Sequence, residues 1–497
     1  MKTACFLHRY PRYILLLSAV LLWIFSILAC GVLSTPSSSP SPQNSALAAS
    51  PTAEEEIYLP LVNNTPAAPP TAELIQPSDL TYLGAFRLPG GDEPPQTFAY
   101  GGNAMTYNPD NHTLFITGHD RQAYGGLPDG DQVAEVSIPT PLIAANPADL
   151  PQATFVQDFR NPLVGQFPGL DEIPRVGLQY LNHPDTGPLL HVAWGAHLQA
   201  EPSPSHGWFS PNLDTPNFQG TWYMGNQEIY SVNGYLFDIP IAWADTFTGG
   251  RYLATGRMRD GGQGGMGPSL FAYTPWEPGG VAPADGTHLS EVPLLLYESS
   301  YYTEDIIHSL NGYQHPDEWE GGAWLTTSSG KAAVLFTGTK STGTKYWYGY
   351  INPTGPEYAC VDVPSVPGFL TCRMADGSSC PPEDFAGCCD PDAGTCVSGR
   401  GWWSTRWDAE FLFYDPVDLA RVAAGELESW EPQPYAVLDV DEYLYLTQPE
   451  WEILGEGDQR RYRLLAAAYD PAHGLLFVLE PFGDGVKPVV HVWQVGD

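Results

Sequence analysis

Six cysteines lie close together in the C-terminal half of the chain, where they could form covalent bridges or bind a metal. They are Cys360, Cys372, Cys380, Cys388, Cys389 and Cys396. Successive separations are 12, 8, 8, 1 and 7 residues, and the stretch contains no histidine. Zinc sites favour closely spaced cysteine pairs, so this spacing predicts disulfides and a bridged excursion over residues 360–396. The two adjacent cysteines should bond to different partners, because a bridge between neighbours strains the peptide that joins them.

Polar side chains also gather where predicted strands end, which is where rigid β scaffolds usually carry their binding sites. His119 and Asp120 follow one predicted strand, Arg175 precedes another, and Asp260 comes before a glycine-rich run. These side chains could form a polar ligand site on one face of the fold. The alternative is that strand ends are polar simply because water solvates them.

Aromatic residues supply a second candidate for binding. Trp208 and Trp222 lie within residues 201–231, a long segment rich in proline and polar residues. Exposed rings in such a loop could stack on sugar faces or anchor a protein partner. The alternative is a loop that folds back over its own hydrophobic side chains.

Common catalytic and metal-binding motifs are missing from the chain. It has no H-E-x-x-H pair, no G-x-S-x-G nucleophile turn and no phosphate loop of the G-x-x-x-x-G-K-[ST] type. Asp129-Gly130-Asp131 lacks the further ligands of a calcium loop. We therefore expect no metal and no cofactor, and the sequence identifies no catalytic residue. A glycosidase would need only two suitably spaced carboxylates, and that spacing is invisible in a sequence.

The N-terminus has the pattern of an export signal. A basic stretch, residues 1–12, precedes the almost wholly apolar residues 13–29, which are too few for a typical membrane-spanning helix. The sequence Ala29-Cys30-Gly31 at its end resembles the lipobox of bacterial lipoproteins, and this resemblance implies that Cys30 carries a lipid. An uncleaved membrane anchor is the alternative. Either arrangement places the body outside the cytoplasm, at the cell surface or in the envelope.

Three regions follow from these patterns. Residues 1–30 are the export signal. Residues 31–77 are rich in proline, serine and alanine and bury too little apolar surface to fold, which predicts a disordered linker. Residues 78–497 form the folded body, and only the N-terminal anchor should contact a membrane.

The body repeats a hairpin at its two ends. Residues 104–109 and 114–116 match residues 466–471 and 476–478 at a constant offset of 362. In each copy one strand ends at an Asn-Pro or Asp-Pro turn and a second strand returns. Weaker copies between them, with residues 233–239 counted as an outer strand, predict an all-β propeller of about six blades, with a range of about five to seven. β-Sandwich domains are the alternative.

Two further elements are predicted within this body. Leu83–Leu88 should pair in the same sheet as strands from residues 435–495, because closing the ring protects the edges of the first and last units. A helix should begin at Asp415 and Pro416, which suit the N-cap and the first turn.

Composition supports the fold class and excludes one class of partner. The chain has 51 glycines and 49 prolines, and 12% of its residues are aromatic, which favours many short strands joined by turns. Its 57 acidic residues outnumber 21 basic ones and give a formal net charge of −36. Nucleic-acid binding needs a cationic surface that displaces counterions from phosphates, so that function is excluded.

Several stretches of the body resemble one group of known proteins. LTYLGAFRLPG, FAYGGNAMTYNP and LFITGHD near the start, and YDPAHGLLFVLEPFGDGVKPVVHVWQV at the end, are similar to secreted bacterial proteins with a propeller-like pattern and no established activity. The resemblance implies a propeller and transfers no functional residue.

Together these observations favour a monomeric, non-catalytic binding module of a surface lipoprotein, with an extracellular glycan or protein as its ligand. The alternative is a carbohydrate-active enzyme with paired carboxylates in a propeller pocket. A deep central pocket lined by buried carboxylates would favour the enzyme, and a shallow aromatic face would favour the binding module.

Overall fold

The computed structural model describes residues 73–497 with internal gaps. The gaps are residues 94, 120–131, 166–173, 197–200, 258–266, 298–307, 315–316, 343–344, 348–359, 364–365, 373–401, 405 and 447–462. The predicted export signal, Cys30 and nearly all of the predicted linker lie outside the described residues. At the start of the described chain Ile75 is buried and Leu74 forms a β-bridge to Ala332, so the folded body begins a few residues before residue 78.

The described residues form an all-β propeller of five mainly antiparallel sheets, here called blades 1 to 5. The first strand of the chain is β1 (Leu80–Arg87). Blade 1 contains β2 (Met105–Asn108), β3 (Thr113–Thr117), β4 (Val133–Ser137) and β5 (Phe155–Arg160). Blade 2 contains β6 (Pro174–His183), β7 (Gly187–Ala196), β8 (His206–Phe209) and β9 (Gln219–Met224).

Blades 3 to 5 follow in chain order. Blade 3 contains β10 (Tyr235–Asp238), β11 (Leu253–Gly256), β12 (Ser269–Tyr273) and β14 (Glu291–Leu296), while β13 (His288–Leu289) pairs in parallel with β9 of blade 2. Blade 4 contains β15 (Glu318–Thr326), β16 (Ala332–Ser341), β21 (Trp407–Tyr414) and β22 (Ala436–Asp439). Blade 5 contains β23 (Ala467–Asp470), β24 (Leu475–Asp484), β25 (Lys487–Val495) and β1.

The ring closes through its first and last strands. The inner strands of the five blades contact one another in sequence, and β23 of blade 5 contacts β2 of blade 1. Strand β1 pairs antiparallel with β25, with Leu80 opposite Val495 and Arg87 opposite Val489. This pairing confirms the predicted closure by Leu83–Leu88, and it leaves neither terminal strand without a partner.

A series of hydrogen-bonded polar side chains stabilises the pairing of β1 with β25. The hydroxyl of Tyr82 on β1 lies 2.8 Å from Nδ1 of His491 on β25, and Nε2 of that histidine lies 2.8 Å from Oε2 of Glu480 on β24. The same carboxylate accepts hydrogen bonds from the backbone N–H groups of Tyr445 and Leu446. His491 and Glu480 are fully buried, so their mutual bonding replaces the water that both groups lose on folding.

The five blades fall within the predicted range but are one fewer than the expected six. One strand is also assigned differently, because residues 233–239 were predicted to be the outer strand of one unit. Most of this segment is β10, the inner strand of blade 3. Tyr235, Leu236 and Phe237 are all buried, because an inner strand is covered on both faces. Alternation of polar and apolar residues is therefore lost, and the pattern does not distinguish an inner strand from an outer one.

Blade 4 is interrupted by an insertion between its second and third strands. Strand β17 (Lys345–Trp347) follows β16 in the chain but pairs with β20 (Trp402–Ser404) in a separate two-stranded sheet. The third strand of the blade is β21, which pairs with β16 along its whole length. Within the insertion, β18 (Cys360–Val363) pairs with β19 (Val366–Cys372), and the register places Cys360 opposite Cys372. The other four cysteines of the predicted excursion lie outside the described residues.

Among the described residues, two short α-helices lie between strands. The predicted helix is confirmed as α2 (Pro416–Ala423), whose N-cap Asp415 accepts a hydrogen bond from the N–H of Val417 at 2.7 Å. The sequence pattern missed α1 (Ile241–Phe247), which follows β10 and has no side-chain cap. Over the described residues, no helix has the length and apolar character needed to cross a membrane.

The core lies between neighbouring blades rather than at the axis. Aromatic and branched side chains from the facing sheets of blades 3 and 4 pack together, and similar layers separate the other blades. Trp319, Phe336 and Tyr414 in that layer are fully buried. Burying a side chain of this size contributes about 2–3 kcal/mol, so these layers hold the blades at fixed angles.

Candidate functional site

The inner strands enclose a narrow cavity on the axis of the ring. Each blade contributes residues near the start of its inner strand, and the lining includes Asn103, Gly177, Gly234, Glu320 and Ala467. The empty space in it, counting the part that is open to solvent, is about 180 Å³, and its lining includes several glycines. We call the end of the ring where the inner strands begin the axial face.

Glycines make the cavity narrow by allowing the inner strands to approach one another. A Cβ atom added at Gly177 would lie 2.9 Å from the backbone carbonyl carbon of Tyr235 in the next blade. One added at Gly321 would lie 2.7 Å from the backbone nitrogen of Ala467 in blade 5. Both distances are shorter than real Cβ contacts, so these positions require glycine. The axis therefore admits only small groups from the axial face.

Buried polar side chains surround the cavity. Glu320 is 1% exposed and Asn103 is 6% exposed, and Nδ2 of this asparagine has no hydrogen-bond partner among the described residues. Of the described residues that line the cavity, Glu320 alone carries a carboxylate. The described lining thus contains buried polar groups but no pair of carboxylates placed for glycoside hydrolysis.

A cluster of carboxylates, the blade 4 cluster, lies at the same end of the ring. It comprises Asp317, Asp408, Glu410, Asp439 and Asp441. Asp317 precedes the inner strand β15, and Asp408 begins β21. Asp439 ends β22, directly opposite Glu410 in the ladder. Because neighbouring strands of this sheet are antiparallel, these strand starts and ends lie at the same end of the sheet. The cluster therefore borders the axial face.

Basic side chains neutralise part of this cluster. Nζ of Lys340 lies 2.5 Å from Oδ2 of the fully buried Asp317. Nε of Arg406 lies 2.6 Å from Oδ1 of Asp408. The guanidinium of Arg463 donates to Oδ1 of Asp441 at 2.9 Å and is itself 4% exposed. These charge-assisted bonds hold the three carboxylates in fixed positions.

Glu410 differs from the rest of the blade 4 cluster in its protonation. Burial raises the pKa of its carboxyl group from the ordinary 4.5 to about 7. The nearby ammonium group of Lys340 lowers this pKa, and the carboxylates of Asp317, Asp408 and Asp439 raise it. Near neutral pH the group therefore exists in both forms, so it can donate or accept a hydrogen bond. A strongly shifted carboxyl group in a polar cluster is a recognised sign of a functional site.

Three carboxylates of the cluster approach the geometry of a cation site. One oxygen each from Asp408, Asp439 and Asp441 lies within 4.8 Å of the others. Arg406 and Arg463 already supply positive charge to two of the three. The arrangement is consequently better suited to hydrogen bonding with a neutral polar ligand than to holding a metal ion.

The structure places some of the predicted polar residues near this face. His119 follows β3, is 2% exposed and forms a β-bridge with Gly101. Arg175 lies at the start of the inner strand β6, at the same end of the ring. Asp120 and Asp260 lie outside the described residues.

The prediction that Trp208 and Trp222 are exposed in a loop is wrong. Trp208 lies on β8 and is 5% exposed, and Trp222 lies on β9 and is fully buried. Their rings pack with centroids 4.9 Å apart, and Nε1 of Trp222 donates to the carbonyl oxygen of Pro283. Both belong to the core layer between blades 2 and 3, because this proline-rich stretch forms two strands rather than a loop.

The blade 4 cluster was missed by sequence reasoning. Its members come from the beginnings and ends of strands that are separated along the chain by an insertion. The one local signal was WDAEFLFY over residues 407–414, where two acidic residues interrupt a strand of large apolar side chains.

Comparison with known proteins adds little to this description. No protein family matches the chain, and no curated protein matches it. Among solved structures, one similar chain is the hydrazine synthase of Kuenenia stuttgartiensis, at 10% identity and a TM-score of 0.23, over 81% of this chain and 98% of that one. A likeness this weak carries no argument about function.

Proposed function

We propose that this protein is a non-catalytic extracellular binding module that takes a glycan on its axial face, at the blade 4 cluster. The observation that carries the proposal is Glu410, a carboxyl group with a pKa of about 7 among ordered carboxylates. Sugar hydroxyls both donate and accept hydrogen bonds, and a carboxyl group near its pKa can meet either need. Arg406 and Lys340 add donors beside it.

The axial cavity supports binding more than chemistry. Its glycine-lined wall is too narrow to take a sugar ring, so a glycan would rest on the face and reach the cavity only with a small substituent. The export pattern and the lipobox-like Cys30 support a location of this module at the cell surface with a lipid anchor.

The proposal is tested by titrating the full chain with oligosaccharides of bacterial and plant surfaces by calorimetry or on an array. We expect Glu410→Ala to weaken binding about tenfold or more, since an unmatched hydrogen bond to a charged group is worth about 1.5–3 kcal/mol. Glu410→Gln, which can still donate and accept, should lose less. Glu277→Ala, at an exposed glutamate on blade 3, is the matched control and should bind as the wild type does.

Equal affinity of wild type and Glu410→Ala for every bound sugar would contradict the proposed site. Binding of a protein instead of any sugar would leave the module but change its ligand class.

A carbohydrate-active enzyme is a second candidate, and the same residue favours it. General acids of glycosidases have raised pKa values, as Glu410 does, and other carboxylates lie nearby. One variant distinguishes the two candidate functions. Glu410→Gln would abolish hydrolysis by an enzyme yet preserve most affinity, whereas a binding module shows no hydrolysis to lose.

A further inference from the structure

We propose that His112, Asp470 and His473 form a binding site for a divalent first-row transition-metal ion, with Zn²⁺ as the best match, where blade 5 meets blade 1. The site is independent of the proposed glycan face. It lies at the far end of the inner strands from the axial cavity.

Two hairpin turns from opposite ends of the chain build this site. His112 lies in the turn between β2 and β3 of blade 1, and its backbone has a positive φ of 53°. Asp470 ends β23, and His473 lies in the turn between β23 and β24 of blade 5. Because β2 and β23 are neighbours in the closed ring, their turns emerge side by side.

The three side chains already converge. Nδ1 of His473 lies 2.6 Å from Oδ2 of Asp470, and Nδ1 of His112 lies 3.9 Å from the same oxygen. The two imidazole rings have centroids 5.2 Å apart at an angle of 65°. One ligand atom from each residue lies within 4.8 Å of the other two.

These distances suit a tetrahedral metal with small adjustments. Zinc bonds of about 2.0–2.1 Å to nitrogen and oxygen put neighbouring ligand atoms roughly 3.3 Å apart. The His473–Asp470 pair would separate by less than about 1 Å, and His112 would move toward Asp470 by a similar amount or less. Both movements are within reach of exposed histidine side chains, which are 50% and 61% exposed.

Burial and charge also fit a metal. The Asp470 side chain is fully buried, and its Oδ1 accepts hydrogen bonds from the N–H groups of Ala472 and His473. Its Oδ2 therefore remains directed to the two histidines. The exposed rings leave an open side through which a hydrated ion could enter and keep a water ligand, as three-ligand zinc sites do.

Tyr107 occupies the nitrogen of His112 that a metal would take. Its hydroxyl lies 2.8 Å from Nδ1 of His112. When a metal takes the histidine nitrogen, this hydroxyl can donate to the carboxylate instead and hold it in place.

Comparison of the two repeated hairpins argues against an ordinary polar turn. In blade 1 the equivalents of Asp470 and His473 are Asn108 and Asn111, and both donate to the buried Glu135 of their own blade. The register places Val492 of blade 5 where blade 1 has this glutamate. With no acceptor inside their own sheet at that position, Asp470 and His473 meet His112 of the neighbouring blade.

The sequence predicted no metal because the known metal-binding motifs are local. The ligands here come from positions more than 350 residues apart in the chain, so no motif could contain them.

The test is metal binding by the full chain after treatment with a chelator. The cysteine thiols are alkylated first, so that they cannot bind zinc. Equilibrium dialysis with Zn²⁺ should give about one tightly bound ion per chain. His112→Ala and His473→Ala should each weaken that binding at least about tenfold, and Co²⁺ should give a tetrahedral absorption band in the wild type alone.

His288→Ala is the matched control, because His288 is an exposed histidine outside the cluster, and this variant should bind zinc as the wild type does. Circular dichroism checks that each variant is folded. Zinc should raise the melting temperature of the wild type and of His288→Ala but not that of His112→Ala. Absence of zinc binding at millimolar concentrations, or undiminished binding in both site variants, would overturn the inference.

Discussion

At the scale of single residues, Glu410 couples the candidate site to pH. Its carboxyl group in blade 4 is influenced by the ammonium group of Lys340 and by three other carboxylates, and burial outweighs the attraction of the lysine. A pKa raised in the folded state means that the folded chain binds more protons than the unfolded chain. The free energy of unfolding should therefore fall as pH rises between about 4.5 and 7.

Replacing this carboxyl group should make stability less dependent on pH. Glu410→Gln cannot ionise, so it should be as stable as the wild type near pH 4 and more stable near pH 8. We expect a gain of about 1–2 kcal/mol at the higher pH, since partial solvent contact screens the full effect of the shift. Urea unfolding across this range measures the difference. Parallel curves for the two proteins would show that Glu410 titrates normally.

At the scale of elements, the cysteine-rich insertion contains one defined pairing. Cys360 and Cys372 lie directly opposite in the antiparallel β18–β19 pair. Directly opposed residues in such a pair have Cα atoms about 4.5–5.5 Å apart, which is within the range that a disulfide spans. The register thus selects one bridge among the connectivities that the sequence left open.

We predict a Cys360–Cys372 disulfide that closes a short local loop and contributes about 2–4 kcal/mol to the insertion. Peptide mapping without reduction should recover these two cysteines in one linked fragment. Cys360→Ser should free the thiol of Cys372, whereas Cys380→Ser should free a different one. A linked fragment joining either of the two to another cysteine would contradict this pairing.

Elements marked by a local sequence motif were predictable. Elements whose position depends on contacts with distant parts of the chain were not. The terminal hairpins follow from their repeated turns, and helix α2 follows from Asp415 and Pro416. Strand β10 was misassigned because burial on both faces removes its alternation. Trp222 was misplaced because composition cannot show that a proline-rich stretch pairs with a neighbouring strand. Both candidate sites join distant strand ends, so only the folded ring reveals them.

At the scale of the whole molecule, the free energy of unfolding depends on the pairing of β1 within blade 5. Gly84 on this strand has a φ of +116°, and a Cβ atom there would lie 2.3 Å from the backbone carbonyl carbon of Leu142. Neither that backbone conformation nor that contact suits any other residue. Gly91, just beyond the strand, has no atom within 4 Å of the same position.

Gly84→Ala should therefore destabilise the whole ring, and Gly91→Ala should not. We expect a loss of about 2–3 kcal/mol for the first variant, from backbone strain and displacement of β1. The second should lie within about 0.5 kcal/mol of the wild type. Chemical denaturation followed by tryptophan fluorescence measures both. Similar stabilities for the two variants would mean that closure by β1 adds little.

The pairing of β1 with β25 also determines when blade 5 can be completed during synthesis. Strand β1 is the first strand of the described chain to be synthesised, and its partner is the last. Leu80 therefore cannot pair until Val495 has been synthesised. Closing so long a loop costs little more free energy than closing a shorter one, since each doubling of length adds only about 0.6 kcal/mol. The main effect is on the folding rate, because long-range strand pairing is slow. Sheet edges stay exposed until this pairing is complete. Blades 1 to 4 can assemble as they emerge, but blade 5 stays open to proteases and to other unfolded chains until the final strand arrives.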